Sequence, residues 1–205
     1  MSEAIETIVN GNFTAKIIHD FDPMNPRTEM DNVGTIICRS NQYGLGDENQ
    51  TAEMDNCDSW DEVEKLIRKE YGRDAIMLPV YIYDHSGITI NTTGFSCNWD
   101  SGRIGTIVVS RKKAREEYGM KLITKSNLEK VLNYLKGEIE TYDQYLTGDV
   151  YGYSITEQMV DDEGEEYDED RDSCWGFYGL KYVTEEATTI LENYVKNQAE
   201  VMESN

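Results

Sequence analysis

The sequence predicts an α+β fold, an antiparallel β-sheet built from hairpins with three to four helices packed on it. Three observations lead there. Apolar runs of strand length come in pairs separated by turn residues, and apolar stripes at helical spacing mark helices set apart from those pairs. No βαβ alternation and no internal repeat runs along the 205 residues. That length makes one domain, 1–205, the expectation, with room for a sizeable core.

The elements follow in order. "EAIETIV" and "NFTAKIIHD" flank Asn10-Gly11, a dipeptide that accepts positive φ at both turn positions and so predicts a type I′ hairpin. His19 falls at the end of its second strand. Residues 21–32, "FDPMNPRTEMDN", read as a turn-rich loop, "VGTIICRS" as a short buried strand and "NQYGLGDENQT" as a polar loop. Ser59 and Glu62 form a capping-box pattern for a helix whose Trp60, Val63, Leu66, Ile67 and Tyr71 share one face, ending at Gly72. "AIMLPVYIY" is a strand in which Pro79 requires an edge or bulged position.

Residues 87–95 and 104–110 read as further strands and "RKKAREEYG" as a short helix, the one locally basic segment of note. The longest helix is expected from about Ser126, with Glu129 as its capping-box partner, to Thr147; Leu128, Val131, Leu132, Leu135, Ile139, Tyr142 and Leu146 form its core stripe. "VYGYSITEQMV" and "SCWGFYGLKYV" read as two strands joined by an acidic loop at 161–172. A final helix is capped by Thr184, with Ala187, Ile190, Leu191, Tyr194 and Val195 facing inward.

Charge is the strongest global signal. Forty acids against nineteen bases give a net charge of −21. A field of that sign repels nucleic-acid phosphates and attracts basic protein surfaces. The expected partner is therefore a basic nucleic-acid-binding protein, and direct binding of nucleic acid is not expected. No apolar run reaches 18 residues and no apolar stretch follows a basic N-terminus, so the expectation is a soluble cytoplasmic protein without membrane contact. Cys38, Cys57, Cys97 and Cys174 form no CxxC pair; free thiols, no bound metal and no cofactor are expected.

The most chemically loaded stretch is "YDHSGITINTTGFSCNWDSGRIG", residues 83–105. Asp84-His85-Ser86-Gly87 has ordinary hairpin-turn chemistry, a carboxylate accepting backbone N–H bonds and a glycine for positive φ. The alternative is a cysteine hydrolase or transferase in which Cys97 is the nucleophile, His85 its base, and Asp84 or Asp100 the orienting carboxylate. A continuous strand over 88–95, at about 3.3 Å per residue, would place Cys97 roughly 25 Å from the hairpin tip and forbid it; only a sharp bend at Thr92-Thr93-Gly94 would bring the two together. Gly102 and Gly105 invite a phosphate-loop reading, but no Gly-Lys-Ser/Thr follows. Trp99 reads as a core or rim anchor. The sequence thus assigns no catalytic residue as its first reading.

"DDEGEEYDEDRD", residues 161–172, carries nine acids and one base. Asp168, Asp170 and Asp172 imitate the start of a calcium loop, but Ser173 and Gly179 occupy the positions that need glycine and glutamate, so a specific calcium site is excluded. Two readings stay open: a solvated, mobile loop, and a carboxylate surface able to imitate a phosphate track, comprising Asp161, Asp162, Glu163, Glu165, Glu166, Asp168, Glu169, Asp170 and Asp172.

The strings "NPRTEMDNVGTIIC", "YGLGDE", "LPVYIYDHSGITI", "FSCNWDSGRIG" and "SRKKAREEYG" resemble a family of proteins encoded by bacteriophages and other mobile elements. The resemblance covers roughly residues 20–120 and does not extend to the C-terminal third. It carries no activity, cofactor or catalytic residue. It implies a phage or mobile-element setting, in which small acidic proteins include DNA-mimicking antirestriction proteins and CRISPR inhibitors. The expected function is an acidic, non-enzymatic interaction protein that occupies the nucleic-acid site of a host restriction or CRISPR nuclease. The alternatives are the Cys97 enzyme and an acidic accessory protein of phage replication or packaging.

Overall fold

The architecture was read from a computed structural model, which describes residues 3–39, 42–47, 54, 56–97 and 99–203. Antiparallel pairing dominates, as the hairpin pattern predicts, but the strands form two four-stranded sheets instead of one. Each sheet belongs to its own compact unit: residues 1–24 with 148–205, and residues 25–147.

In the first unit the sheet contains β1 (Glu6–Asn10), β2 (Phe13–His19), β7 (Val150–Val160) and β8 (Glu166–Tyr178), in the order β1-β2-β7-β8. One helix, α5 (Leu180–Glu203), packs on it: Val183, Ala187 and Leu191 bury against Phe13, Ala15, Ile17, Tyr153 and Ile155. Covering only one face explains the alternation of β2, whose Phe13, Ala15 and Ile17 point inward while Lys16 is exposed. The β1–β2 turn differs from expectation. Asn10 pairs with Phe13, so the central residues are Gly11-Asn12, and only Gly11 has positive φ (60°), as a II′-type turn requires. Helix α5 begins four residues before the expected Thr184 cap. Gly179 (φ 91°) turns the chain there, and the Thr184 hydroxyl donates to Leu180 O or Glu6 Oε2 instead of capping.

In the second unit the sheet order is β3-β6-β4-β5: β3 (Thr35–Cys38), β6 (Ser101–Val109), β4 (Ile76–Asp84) and β5 (Ile88–Asn91). Helices cover both of its faces. Ile36, Ile107 and Val109 pack with Val131, Leu135 and Ile139 of α4 (Lys125–Thr147), while Ile37 and Val108 pack with Val63 and Ile67 of α2 (Trp60–Tyr71). Burial on both faces is why "IIC" and "IVV" are continuous apolar runs. Pro79 lies beyond the end of β5, beside a bulge at Val80/Tyr81, so its missing N–H breaks no ladder there. The caps are partly revised. Ser59 Oγ accepts from Glu62 N, but Glu62 returns its bond to Asp58 N, one residue early. Thr124, not Ser126, caps α4 by accepting from Asn127 N at 3.2 Å. With 23 residues α4 is also one shorter than α5. The basic segment forms α3 (Arg111–Glu117) as expected.

The stretch read as a loop, 21–32, contains a one-turn helix, α1 (Pro26–Glu29), with Asn25 as its cap and Pro26 in the first turn. This helix delivers Arg27 into a buried polar cluster. Its guanidinium is bidentate to Asp47, with Nη2–Oδ2 at 2.6 Å and Nε–Oδ1 at 3.1 Å. It also donates to Glu138 Oε2 (2.9 Å), Asn32 Oδ1 (2.7 Å) and Gly34 O (2.9 Å), so all five N–H donors are used. The carboxylates are spent as well. Glu138 Oε1 accepts from Val33 N and Gly34 N, and Asp47 Oδ2 accepts from Ile36 N. Burial by itself would lower the Arg27 pKa; the bonds to Asp47 and then Glu138 outweigh it and raise it. Asp47 therefore stands in the segment expected to be a plain polar loop, whose residues 48–51 lie outside the described ones.

Arg27→Met should leave two carboxylates buried without a counter-charge. Removing one member of such a cluster costs about 3–5 kcal/mol, a large part of the roughly 5–15 kcal/mol that holds a domain folded. Urea denaturation is the measurement; an unchanged midpoint would show the cluster to be dispensable.

Candidate functional site

The acidic segment is not a loop. Only 161–165 make the connection; Glu166–Asp172 belong to β8 and pair with β7 in the register Val160↔Glu166, Met159↔Tyr167, Gln158↔Asp168, Glu157↔Glu169 and Thr156↔Asp170. Aspartate and glutamate are poor strand formers, so local preference points to a loop. The free edge of β7, whose inward residues are anchored under α5, supplies the ladder that overrides it. The turn is built by Asp161, whose Oδ1 accepts from Glu163 N (2.9 Å) and Glu165 N (2.8 Å), and by Gly164 at φ 85°.

β8 is an edge strand, and Glu166–Trp175 are all exposed. Its side chains divide between two faces. Ile155 packs toward α5 and Glu157 accepts from Gln198 Nε2 at 3.0 Å, so their partners Asp172 and Glu169 share the helix-facing side. Glu166, Asp168 and Asp170 point to the opposite face. Glu157 directly opposite Glu169 would repel, and a bulge resolves this. Between Ile155 and Thr156 the register skips Arg171, which lies 2.7 Å from Glu157 and 2.6 Å from Glu169. Local sequence pattern marks neither Glu157 nor Arg171 for this role. The one signal is that Glu157 continues the inward series Tyr151, Tyr153, Ile155, where a charge needs a partner.

The aromatic end of the strand is also fixed. The Tyr153 hydroxyl donates to Asp172 Oδ2 at 3.4 Å; burial first, and Asp172 next, push its pKa up to about 12. A Cβ on Gly152 would sit 2.2 Å from the Trp175 ring, so the indole lies where only glycine leaves room. Trp175 is nevertheless half exposed, while Phe177 packs into the core of its unit.

In the second loaded stretch the expected separation fails. β5 is four residues long, Gly94 turns the chain at φ 86°, and Asn91 Oδ1 accepts from Thr93 N and Gly94 N to hold the bend. Cys97 consequently returns toward the hairpin tip. Its Sγ lies 3.8 Å from Asp100 Oδ2, and His85 Nδ1 lies 3.5 Å from the same oxygen. The roughly 25 Å separation expected from a continuous strand is thus overturned, since two atoms sharing one oxygen neighbour at these distances are close. The order is thiol–carboxylate–imidazole, however, so the carboxylate and not the imidazole faces the thiol. Asp84 is tied elsewhere: its backbone N–H donates to Asp100 O (2.8 Å), and its Oδ2 accepts from the Tyr43 hydroxyl (3.2 Å). The side chains of His85 and Asp100 are 65% and 43% exposed, so the group is open to water.

Gly102 and Gly105 lie within β6, not in a phosphate loop; a Cβ on Gly105 would approach Ile37 O to 2.6 Å, which makes it a close-packing position. Trp99, expected as an anchor, is 95% exposed. Among the described residues no group of three or more His, Cys, Asp or Glu is placed to hold a metal ion, and no helix is long and apolar enough to cross a membrane. Comparison with protein-family models, characterised proteins and solved structures finds no match to the chain.

The four thiols differ sharply in access. Cys38 and Cys57 are buried, and at Cys38 that burial, with Asp47 nearby, pushes the pKa up to about 12; Cys97 is half-buried and Cys174 exposed. Iodoacetamide at about pH 8, where only the thiolate reacts, should label Cys97 and Cys174 in the folded protein and spare Cys38. Mass spectrometry of the labelled peptides checks this, and early labelling of Cys38 would contradict the packing of β3.

Proposed function

We propose that the β7–β8 ribbon docks on the basic, nucleic-acid-binding surface of another protein, and that the chain acts as a non-enzymatic inhibitor of a host defence nuclease of the restriction or CRISPR kind. One observation carries the reading. Between Glu166 and Asp172 five carboxylates ride on a paired strand that advances about 3.4 Å per residue. A nucleic-acid strand places one phosphate per roughly 3.4 Å of its axis. On the face away from α5, Glu166, Asp168 and Asp170 recur at every second residue, about 6.8 Å apart, which matches every second phosphate of one such strand. The net charge of −21 supports the same direction of attraction, and the resemblance of residues 20–120 to phage and mobile-element proteins supplies the setting.

A rigid template has an energetic advantage over a mobile acidic tail, because its charges are ordered before binding and less conformational entropy is lost on docking. Converting Asp162, Glu163, Glu165, Asp168 and Asp170 to their amides removes five charges while leaving Asp161 in its turn and Arg171 in its bridge. This variant should associate more slowly with the partner captured from host extract, with a flatter salt dependence, and should melt at an equal or slightly higher temperature. The unaltered protein should give no gel shift with DNA or RNA at about 0.1 M salt, where screening extends only about 10 Å. Unchanged association kinetics, or a clear shift, would remove the mimic reading.

The convergence of Cys97 and His85 on Asp100 favours a second reading, a cysteine-dependent hydrolase or transferase. Its nucleophile–base contact is not assembled in this arrangement, and Cys97→Ser should leave inhibition intact. Loss of activity with an unchanged melting curve would put the enzyme first.

A further inference from the structure

The second unit carries a cavity of about 560 Å³ whose wall opposes the charge of the rest of the chain. Its volume falls within the roughly 300–1,000 Å³ of small-molecule sites. Three segments build it: Tyr71 and Asp74, then Ser110, Arg111, Lys112 and Arg115, then Leu122–Thr124. Three cations meet one carboxylate in a protein that holds more than twice as many acids as bases.

The use of the donors distinguishes this wall from the structural arginines. Arg27 spends every N–H on protein acceptors. Arg111 spends only Nε, which donates to Asp74 O at 3.0 Å and lies 3.2 Å from Asp74 Oδ2; its two terminal nitrogens have no partner among the described residues. The Arg115 guanidinium has none among them either. Lys112 has only an exposed i,i+4 pairing with Glu116 at 3.9 Å, a contact of little energy. Ser110 Oγ accepts from Lys113 N and Thr124 Oγ1 from Asn127 N, which leaves both hydroxyl protons available to donate. The wall is held in place, because Asn127 Nδ2 donates to Leu122 O at 2.8 Å and Met120 N to Arg115 O at 2.9 Å. Beside these unspent donors stand the apolar surfaces of Tyr71, Leu122 and Ile123.

A surface rich in donors and short of acceptors fits a compact, multiply charged anion, and the guanidinium forks suit the oxygens of a phosphoryl group. We propose that this cavity binds a phosphorylated small molecule, its phosphoryl group on Arg111, Lys112 and Arg115 and its apolar or flat portion against Tyr71, Leu122 and Ile123. The site lies wholly within residues 25–147 and is independent of the ribbon reading; either can fail without the other.

The probe is phenyl phosphate, titrated calorimetrically into the full chain, with phenol as the control. Phenyl phosphate should bind saturably, with Kd between roughly 10 µM and 1 mM, and phenol should give no signal. Amide shifts on binding should centre on Ser110 and Thr124. Arg115→Ala, combined with Lys112→Ala, should weaken binding about tenfold or more at an unchanged melting temperature, because both side chains are exposed. Absence of saturation at about 10 mM, equal affinity in the double variant, or amide shifts confined to another surface would each overturn the assignment. Retention of binding by the five-amide ribbon variant would support it.

Discussion

The second unit is organised around a single buried charge. Arg27 is brought in by a one-turn helix and is met by Asp47 from a loop, Glu138 from α4, and Asn32 with the Gly34 carbonyl from the segment entering β3. A lone guanidinium in such a place would cost several kcal/mol in lost hydration. It is tolerated because every donor has an acceptor, and because both carboxylates also bond the backbone of the segment they face. Those backbone bonds give the cluster its structural reach. Glu138 fixes Val33 and Gly34 beneath α4, Asp47 fixes Ile36, and the register of β3 against β6 follows. Gly34 is part of the same constraint, since a Cβ there would sit 2.7 Å from Ile107 and Leu135. The strings "NPR" and "DNVG", with Asp47, are thus the parts of one polar clamp, which gives a packing reason for a pattern that looks like a signature.

Charge is handled in two opposite ways in this chain. At Arg27 it is withdrawn from water and fully compensated. On the β7–β8 ribbon it is left in water, on a backbone whose ladder fixes the spacing. Arg171 is the exception within the ribbon. Displaced by the bulge onto the side of Glu157 and Glu169, it removes the one close like-charge contact that pairing would impose, and the carboxylates on the other face keep their field. Edge strands invite unwanted pairing, and a run of charged residues is a common defence; here the same residues supply a surface of one sign.

The loaded stretch at 83–105 has a mixed outcome. Its first turn departs from what composition suggests, since Ser86 and not Gly87 carries the positive φ (60°) and Asp84 Oδ2 accepts from the Tyr43 hydroxyl; Asn91 and Gly94 then bend the chain soon after β5 and return Cys97 to Asp100 and His85. The sequence contained that bend, in "NTTG", but an apolar run on either side made a straight strand equally consistent with the pattern. Composition alone placed reactive residue types within one segment. The order thiol–carboxylate–imidazole depends on where the backbone turns.

The sequence by itself determined the α+β class, the inward stripes of α2, α4 and α5, the hairpin of β1 and β2, and the excess of negative charge. These are local properties: periodicity follows from the geometry of one helix or strand, and net charge is a sum. Only the tertiary structure decided that the strands divide into two sheets, that "EEYDEDRD" is strand and not loop, and that Arg27 meets a carboxylate 111 residues away. Each of these depends on a partner distant in sequence. A strand of acids forms because β7 offers an edge whose backbone groups need pairing, and a buried arginine is stable only where two carboxylates arrive from other elements; neither condition is written in the residues' own neighbourhood.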